Sequence, residues 1–516
     1  MKTNKIVRRE FIKEVGVGAS ALGLSGAGSL GASEKTASTD HSNKQPKRKP
    51  NVVIVFSDQF RSFALGCQGN KFVHTPNIDR LAREGFRFEL GITNSPVCVP
   101  ARSNLMSGEY ARSCVGSRIN EIQGELGRDD RAKFPDATIA QEFKKIGYKT
   151  AIIGKWHIDA KPSHLGFDES VVVTDIFSKA GFIKNEKDKY KVPIFSADHE
   201  ITKVKEFFKD NKSEPFLLYY NITSPHMPLL DIPYKYSRMY EPAKVPLREN
   251  VWKNGKLPAD ERWFQIYMWQ TFPNKKYQPV TAKATPEFTV KDLTALYYGS
   301  VSWTDALVGE MMEGLRENGL EDETIVVFAA DHGDMLGSHH CWNKNRPFEE
   351  AIRVPMIYRW PNEIKKGVNE SQVTSLIDVM PTLLDLCGMK IPGSVQGQSV
   401  AELMKGTTTK TTLEENCAYL ETPFAELAIR TPTHMYAVIM DEQGEKISND
   451  KYLFFDMRTD PYQQKNLLET GEQSEIAQEL REKLYRWNEN TRRLTKSVKY
   501  QPWAGGYNNY VGRLGF

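Results

Sequence analysis

The chain alternates short, continuous apolar runs with segments whose apolar residues recur at helical spacing. NVVIVFSD (51–58), KTAIIGK (149–155), EPFLLYYNIT (214–223) and ETIVVFAADHGD (323–334) read as buried strands that end in polar residues. TPNIDRLAREG (75–85) opens with Thr-Pro, carries Ile78 and Leu81 on one face and stops at Gly85, which predicts a helix. A longer helix around 295–318 sets Leu307, Met311 and Leu315 on one face and ends at Asn318-Gly319. Buried strands separated by helices predict an α/β fold, a large mixed but mostly parallel sheet sandwiched by helices. Ligands of such sheets sit beyond the carboxyl ends of the strands. The polar clusters of this chain fall there.

After about residue 405 the pattern changes. YAVIMDEQGEKISNDKYLFFDMRTDPYQQKNLL (436–468) reads as antiparallel strands with turns, and SEIAQELREKLYRWNENTRRL (474–494) as a charged helix. A small C-terminal α+β subdomain with an antiparallel sheet is expected. At the other end, Arg8-Arg9, Phe11 and Lys13 precede a weakly apolar Gly/Ala/Leu run, and RREFIK resembles a twin-arginine export signal. The expected organisation is an export signal over 1–33, a Pro/Lys-rich linker over 34–49, a main catalytic domain over 50–405, and a C-terminal subdomain with tail over 406–516. A basic amphipathic N-terminus is the other reading of the first segment. Export implies twin-arginine machinery as a partner and a periplasmic or secreted location.

Composition narrows the picture modestly. The 516 residues carry a net charge of +4, with 26% charged and 40% hydrophobic residues. Nothing in that balance argues for nucleic acid, although local basic patches can still attract an anion. No further run of about twenty apolar residues occurs, so stable membrane insertion is not expected. Cysteines 67, 98, 114, 341, 387 and 417 are scattered without zinc or redox spacing, so one is available for a special role.

Candidate chemistry gathers at the strand ends. Asp58 follows one apolar run and Asp331-His332 another, a set that suits a hard cation. Each acid alone equally fits a turn or a helix cap. GKWHID offers Lys155 and His157, which share a face if the chain stays extended. NITSPHMPL offers His226 between prolines, and HHCWNKNRPFEE offers His339, His340 and Lys344. Together they describe a cationic pocket for a tetrahedral oxyanion, with proton donors and acceptors around it. In CVPARSNLMSG, Pro100 fixes the backbone, Arg102 supplies a forked anion binder, and Ser107-Gly108 reads as a stop. Cys98 would then stand at a helix N-terminus facing the anion site.

These motifs resemble those of type I sulfatases of the alkaline-phosphatase superfamily. The signature C-x-P-[SA]-R, then Leu and [TS]-G, stands as Cys98, Pro100, Ala101, Arg102, Leu105, Ser107 and Gly108. NVVIVFSDQFR, TPNIDRLAREGFRF, GKWHI, SPHMPL, AADHGDMLGSH, EEAIRVPMI, SLIDVMPTLLDLCG and FFDMRTDPYQQKNL extend the likeness in family order from residue 50 to about 470.

The resemblance implies an alkaline-phosphatase-like fold and hydrolysis of a sulfate ester. It implies that a maturase oxidises Cys98 to formylglycine, whose hydrate attacks sulfur and later releases sulfate. Asp58, Asp331, His332 and residue 98 would hold the metal. Gln59 stands where many members have a second Asp and would supply an amide oxygen. Position 332 is His where others have Asn, as in choline sulfatases and phosphonate monoester hydrolases. Calcium is the expected ion, with magnesium and manganese open. Arg102 would hold the formylglycine, Lys155 and Lys344 would clamp sulfate, and His157 would take the proton at residue 98. His226, with Lys344, would protonate the leaving alcohol.

The Tyr/Trp/Lys-rich insertion 233–280 fits a sulfated carbohydrate substrate, and packing of that loop against the domain is the other reading. Two alternatives stay open at this point. One is a phosphodiester or phosphonate monoester hydrolase using the same site, and the other a non-catalytic binder of sulfated glycans.

Overall fold

The computed structural model describes residues 49–494 except 116–133, 159, 173–179, 183–192, 231, 252–288, 362, 409–414 and 442–445. The expected export signal and the linker up to residue 48, most of the aromatic insertion and the Tyr/Gly-rich tail lie outside the described residues.

Fourteen strands are described in chain order. They are β1 (Asn51–Asp58), β2 (Phe86–Ile92), β3 (Lys149–Gly154), β4 (Glu169–Val172), β5 (Ala180–Phe182), β6 (Pro193–Phe195), β7 (Phe216–Pro225), β8 (Thr324–Ala330), β9 (Met356–Arg359), β10 (Gly367–Ser375), β11 (Ala418–Glu421), β12 (Glu426–Arg430), β13 (His434–Met440) and β14 (Ile447–Asp456). Eight form the main sheet in the order β10-β2-β9-β8-β1-β7-β3-β4. All its pairings are parallel except those that β9 makes with β2 and β8. The sheet is therefore mixed and mostly parallel, as the apolar runs predict.

β1 and β8 are buried at every position, and β7 likewise. Such strands have no solvent face, so their sequences do not alternate. Alternate residues of β1 supply two separate cores. Val53 and Val55 pack with the long helix Val290–Glu317 through Val301, Leu307 and Met311. Val52, Ile54 and Phe56 face the other layer, with Leu105 of the helix Cys98–Ser107 and Leu383 of the helix Leu376–Leu386. The long helix starts with a capping box at Thr289 and Asp292, five residues before the stretch legible in the sequence.

The second sheet, β11-β12-β13-β14, is antiparallel throughout. One face packs on Leu90, Ile92 and Phe348 of the main domain, the other on the helix Ser474–Asn490 through Leu480 and Leu484. No disulfide joins any of the six cysteines. Among the described residues, no helix is long and apolar enough to cross a membrane.

Candidate active site

Four neighbouring parallel strands, β8-β1-β7-β3, end at one edge of the main sheet. Each delivers a polar residue there. β1 ends in Asp58 and leads to Gln59, β8 leads to Asp331-His332, β7 to His226, and β3 to Lys155. The turn out of β3 needs a glycine. Gly154 has φ 102°, and a Cβ there would meet the Asn221 carbonyl oxygen at 2.0 Å. Lys155 N donates to that same oxygen at 3.1 Å. The chain does not stay extended beyond it, because His157 has φ 47°. Lys155 and His157 therefore reach the site by a turn, not by sharing a strand face.

β2 runs in the same direction as β8, and the loop after it brings Cys98 to this edge. Val97 is extended and Cys98 opens the helix Cys98–Ser107. Pro100 falls in the first turn, where its missing N–H leaves no bond unmade. Gly108, with φ 67°, ends the helix by donating its N–H to Asn104 O. All ten residues of the helix are buried, the charged Arg102 and the polar Ser103, Asn104 and Ser107 among them.

Around Cys98 Sγ stand Lys344 Nζ at 3.0 Å, His332 Nε2 at 3.3 Å and Asp58 Oδ1 at 3.8 Å. Arg102 Nη2 donates to Asp58 Oδ2 at 2.8 Å and to Asp331 Oδ2 at 3.0 Å, while Nη1 donates to Asn221 Oδ1 at 2.9 Å. Lys155 Nζ lies 2.6 Å from Asp58 Oδ2. Lys344 Nζ also donates to His226 Nε2 at 3.2 Å and reaches Gln59 Oε1 at 3.4 Å. Asp58, Gln59, Cys98, Arg102, Lys155, His226, Asp331, His332 and Lys344 thus sit in one cluster, whereas His339, also offered by the sequence, does not join it.

The cluster's electrostatics follow from its burial. Burial alone would raise the Cys98 thiol, but Lys344, Lys155 and His332 outweigh it and hold it well below its ordinary value. Burial and the Cys98 charge push Asp58 up, yet Lys155 and Arg102 keep it ionised. Asp331 goes the other way, raised by burial and by the neighbouring Asp58 charge. Asp58 and Asp331 repel each other across this site, and a cation between them would relieve that repulsion.

A divalent cation fits that need. Asp58, Cys98, Asp331 and His332 each offer a ligand atom within 4.8 Å of the others. Donors about 2.3–2.6 Å from a shared calcium span about that distance. The His332 ring is also set for it. Its Nδ1 faces the Gly333 carbonyl at 2.9 Å, an acceptor only, so a proton stays there and Nε2 is the atom turned toward the carboxylates, able to bind a cation once it gives up its own proton. Gln59 is held differently, with its amide nitrogen donating to Asp334 Oδ2 and its Oε1 toward Lys344.

The other imidazoles divide clearly. Burial and Lys155 push His226 down to about 4, and its Nδ1 faces the Met227 carbonyl at 2.6 Å, leaving Nε2 bare. Burial also lowers His157, which shares a hydrogen bond with Cys98. His339 stacks on Phe348 at 4.0 Å and takes a bond from Asn250, so its role is structural. Asn221 and Asp334 were not legible as site residues. Each sits near a strand end, in YYNITSPH and AADHGD, but only the fold shows that they hold Arg102 and Gln59.

Residues 50–389 match the sulfatase family, and 337–490 match the family described as N-sulphoglucosamine sulphohydrolase, C-terminal. An ulvan-active sulfatase of Formosa agariphila is 29% identical over 462 residues, 84% of this chain and 80% of that protein. An N-acetylglucosamine-6-O-sulfatase of Bacteroides thetaiotaomicron is 25% identical, covering 88% and 89%. Among solved structures, that of BT4656 with its substrate D-glucosamine-2-N,6-O-disulfate superposes with a TM-score of 0.68 at 21% identity, covering 86% and 98%. With the family matched across most of the main domain and the fold shared with solved members, the chain belongs to the sulfatase family, as a type I sulfuric ester hydrolase of the alkaline-phosphatase superfamily.

Proposed function

We propose that the protein removes sulfate from a sulfated carbohydrate, using a formylglycine made from Cys98 and a calcium ion held by Asp58, Gln59, Asp331, His332 and residue 98. The observation that carries this reading is the placement of Cys98: buried at a helix N-terminus, 3.0 Å from Lys344 and 3.3 Å from His332. An ordinary structural cysteine has no use for those neighbours. The relatives named for ulvan, N-acetylglucosamine sulfate and a disulfated glucosamine support a sugar as the leaving alcohol. Tyr234, 75% exposed with Arg238 over its ring at 5.5 Å, supplies an aromatic and cationic surface of the kind sugars stack on.

When bound, the cation supplies positive charge that polarises sulfate oxygens, and the formylglycine supplies an oxygen nucleophile that a thiol cannot. The chain's own residues do the rest. Lys155 and Lys344 hold sulfate oxygens and orient sulfur toward residue 98. Arg102, locked by Asp58, Asp331 and Asn221, fixes the carboxylates and balances their charge. His157, kept neutral by burial, accepts a proton at residue 98. His226 has no proton on Nε2 in the resting site, so the proton for the leaving oxygen comes through Lys344, which donates to it at 3.2 Å. Burial of all these groups excludes bulk water and strengthens each interaction.

The test is a screen of desalted sulfated mono- and oligosaccharides for released sulfate, run beside a matched phosphodiester. Release from a sugar sulfate at a rate far above the diester supports the reading. A strong preference for the diester replaces it with phosphodiester or phosphonate hydrolysis, and binding without any turnover by converted protein replaces it with a glycan-binding role.

A further inference from the structure

The segment that carries Lys344 contains no helix or strand from Asp331 to Pro347. The residues on either side of Lys344 are both left-handed, Asn343 with φ 66° and Asn345 with φ 76°. Such positions cost non-glycine residues free energy and persist only where the surroundings over-determine them. Two backbone bonds help on the near side: Met335 N donates to Asn343 O at 2.6 Å, and Asn345 N donates to Pro96 O at 3.2 Å, two residues before Cys98. The far side is held from another sheet. Arg346, 4% exposed, places Nη1 2.9 Å from Glu426 Oε1 on β12 and donates from Nη2 to the Tyr452 hydroxyl on β14 at 2.8 Å. Tyr452 donates in turn to Glu426 Oε1 at 2.8 Å, and Thr422 donates to Glu426 Oε2 at 2.6 Å. Arg346, Glu426 and Tyr452 therefore form a closed triangle, each touching the other two.

We propose that Arg346 is a positioning residue: through Glu426 and Tyr452, the C-terminal antiparallel sheet sets where Lys344 presents its ammonium to residue 98. The inference rests on the reading above in which Lys344 binds sulfate. A lysine is a point charge on a flexible stem, so its place depends on where its backbone is held. Lys344 touches Cys98, His226 and Gln59 through Nζ, at its tip inside the pocket. Two residues on, the planar guanidinium fork engages two partners at once, a grip that a single-point donor cannot reproduce. The second sheet is then part of the catalytic apparatus without touching substrate.

The experiment follows turnover of para-nitrophenyl sulfate by the full, converted, calcium-loaded chain in a double-mutant cycle. Arg346→Met is expected to lower kcat/KM by about 10- to 100-fold, the scale of a displacement of about 1 Å at a reacting group. Tyr452→Phe, which removes one hydroxyl and keeps the ring, is expected to lower it by about 2- to 5-fold and to fold if Arg346→Met does not. Each, combined with Lys344→Ala, is expected to be no slower than Lys344→Ala alone, because both losses pass through the same ammonium. Losses that multiply in the double variants overturn the inference. So do lowered melting midpoints with kcat/KM intact, the result of a merely structural triangle. A fully active Lys344→Ala would instead sink the sulfate-binding reading itself, and the inference with it.

Discussion

Lys344 and Cys98 are 246 positions apart, and Lys344 Nζ donates to Cys98 Sγ at 3.0 Å. In unconverted protein free of added cation this contact sets the ionisation of the thiol. Burial pushes Cys67, Cys114, Cys387 and Cys417 up to about 12, whereas Cys98 is held well below its ordinary value. Ultraviolet absorbance of thiolate should therefore show one early ionisation on raising the pH. Lys344→Ala should move it to higher pH and Cys98→Ala should abolish it. The sign for stability follows: a depressed folded pKa stabilises above the unfolded value, and that gain is lost as pH falls through the folded one.

Arg102 Nη2 ties the two buried carboxylates together, 2.8 Å from Asp58 and 3.0 Å from Asp331. Arg102→Met should cost about 3–5 kcal/mol, the penalty for leaving buried charge unpaired. Added calcium should recover part of it, so the calcium-induced rise in melting midpoint should be larger in the variant than in wild type. Differential scanning calorimetry with and without the ion reads both effects. An equal rise in the two proteins would place the calcium elsewhere.

Cation affinity should depend on pH. Burial and the Asp58 charge hold Asp331 above its ordinary 3.8, so protons compete for it well into the acidic range. Calcium binding followed by titration calorimetry should weaken as pH falls below neutrality and should release protons into the buffer there. Asp331→Asn should weaken binding at every pH and flatten that dependence.

Much of this site is legible in the sequence itself. The runs at 51–58 and 324–330 are buried on both faces, so their apolar continuity announced central strands, and a polar residue at the end of such a strand has few other places to go. Cys98 and Arg102 were legible because Pro100 and Gly108 punctuate one short helix. What stayed hidden depends on chain reversals and long-range pairing. The left-handed turn at His157 cannot be inferred from GKWHID, and the antiparallel insertion of β9 has no signature in four residues. Asn221 acquires its meaning from Arg102, and Arg346 from Glu426, partners 119 and 80 positions away, and periodicity carries no such information.

The helix that presents Cys98 depends on the residue that caps its end. Gly108 has φ 67°, and a Cβ there would stand 3.0 Å from Val395 Cγ1. Gly108→Ala should destabilise the protein by about 1–2 kcal/mol, the cost of a left-handed alanine. The change is ten residues from the reacting atom and touches none of the pocket's charges, so KM for a sulfate ester should stay within about twofold of wild type. Denaturant unfolding beside steady-state kinetics separates the two.

The central claim is that the nucleophile is made from Cys98, and the peptide spanning residues 95–108 tests it most directly. Protein produced with a competent maturase should yield that peptide with an aldehyde or its hydrate in place of the thiol, and sulfate release should scale with the converted fraction. A fully active enzyme whose residue 98 is an unmodified thiol would contradict the account, and so would full activity in Cys98→Ala.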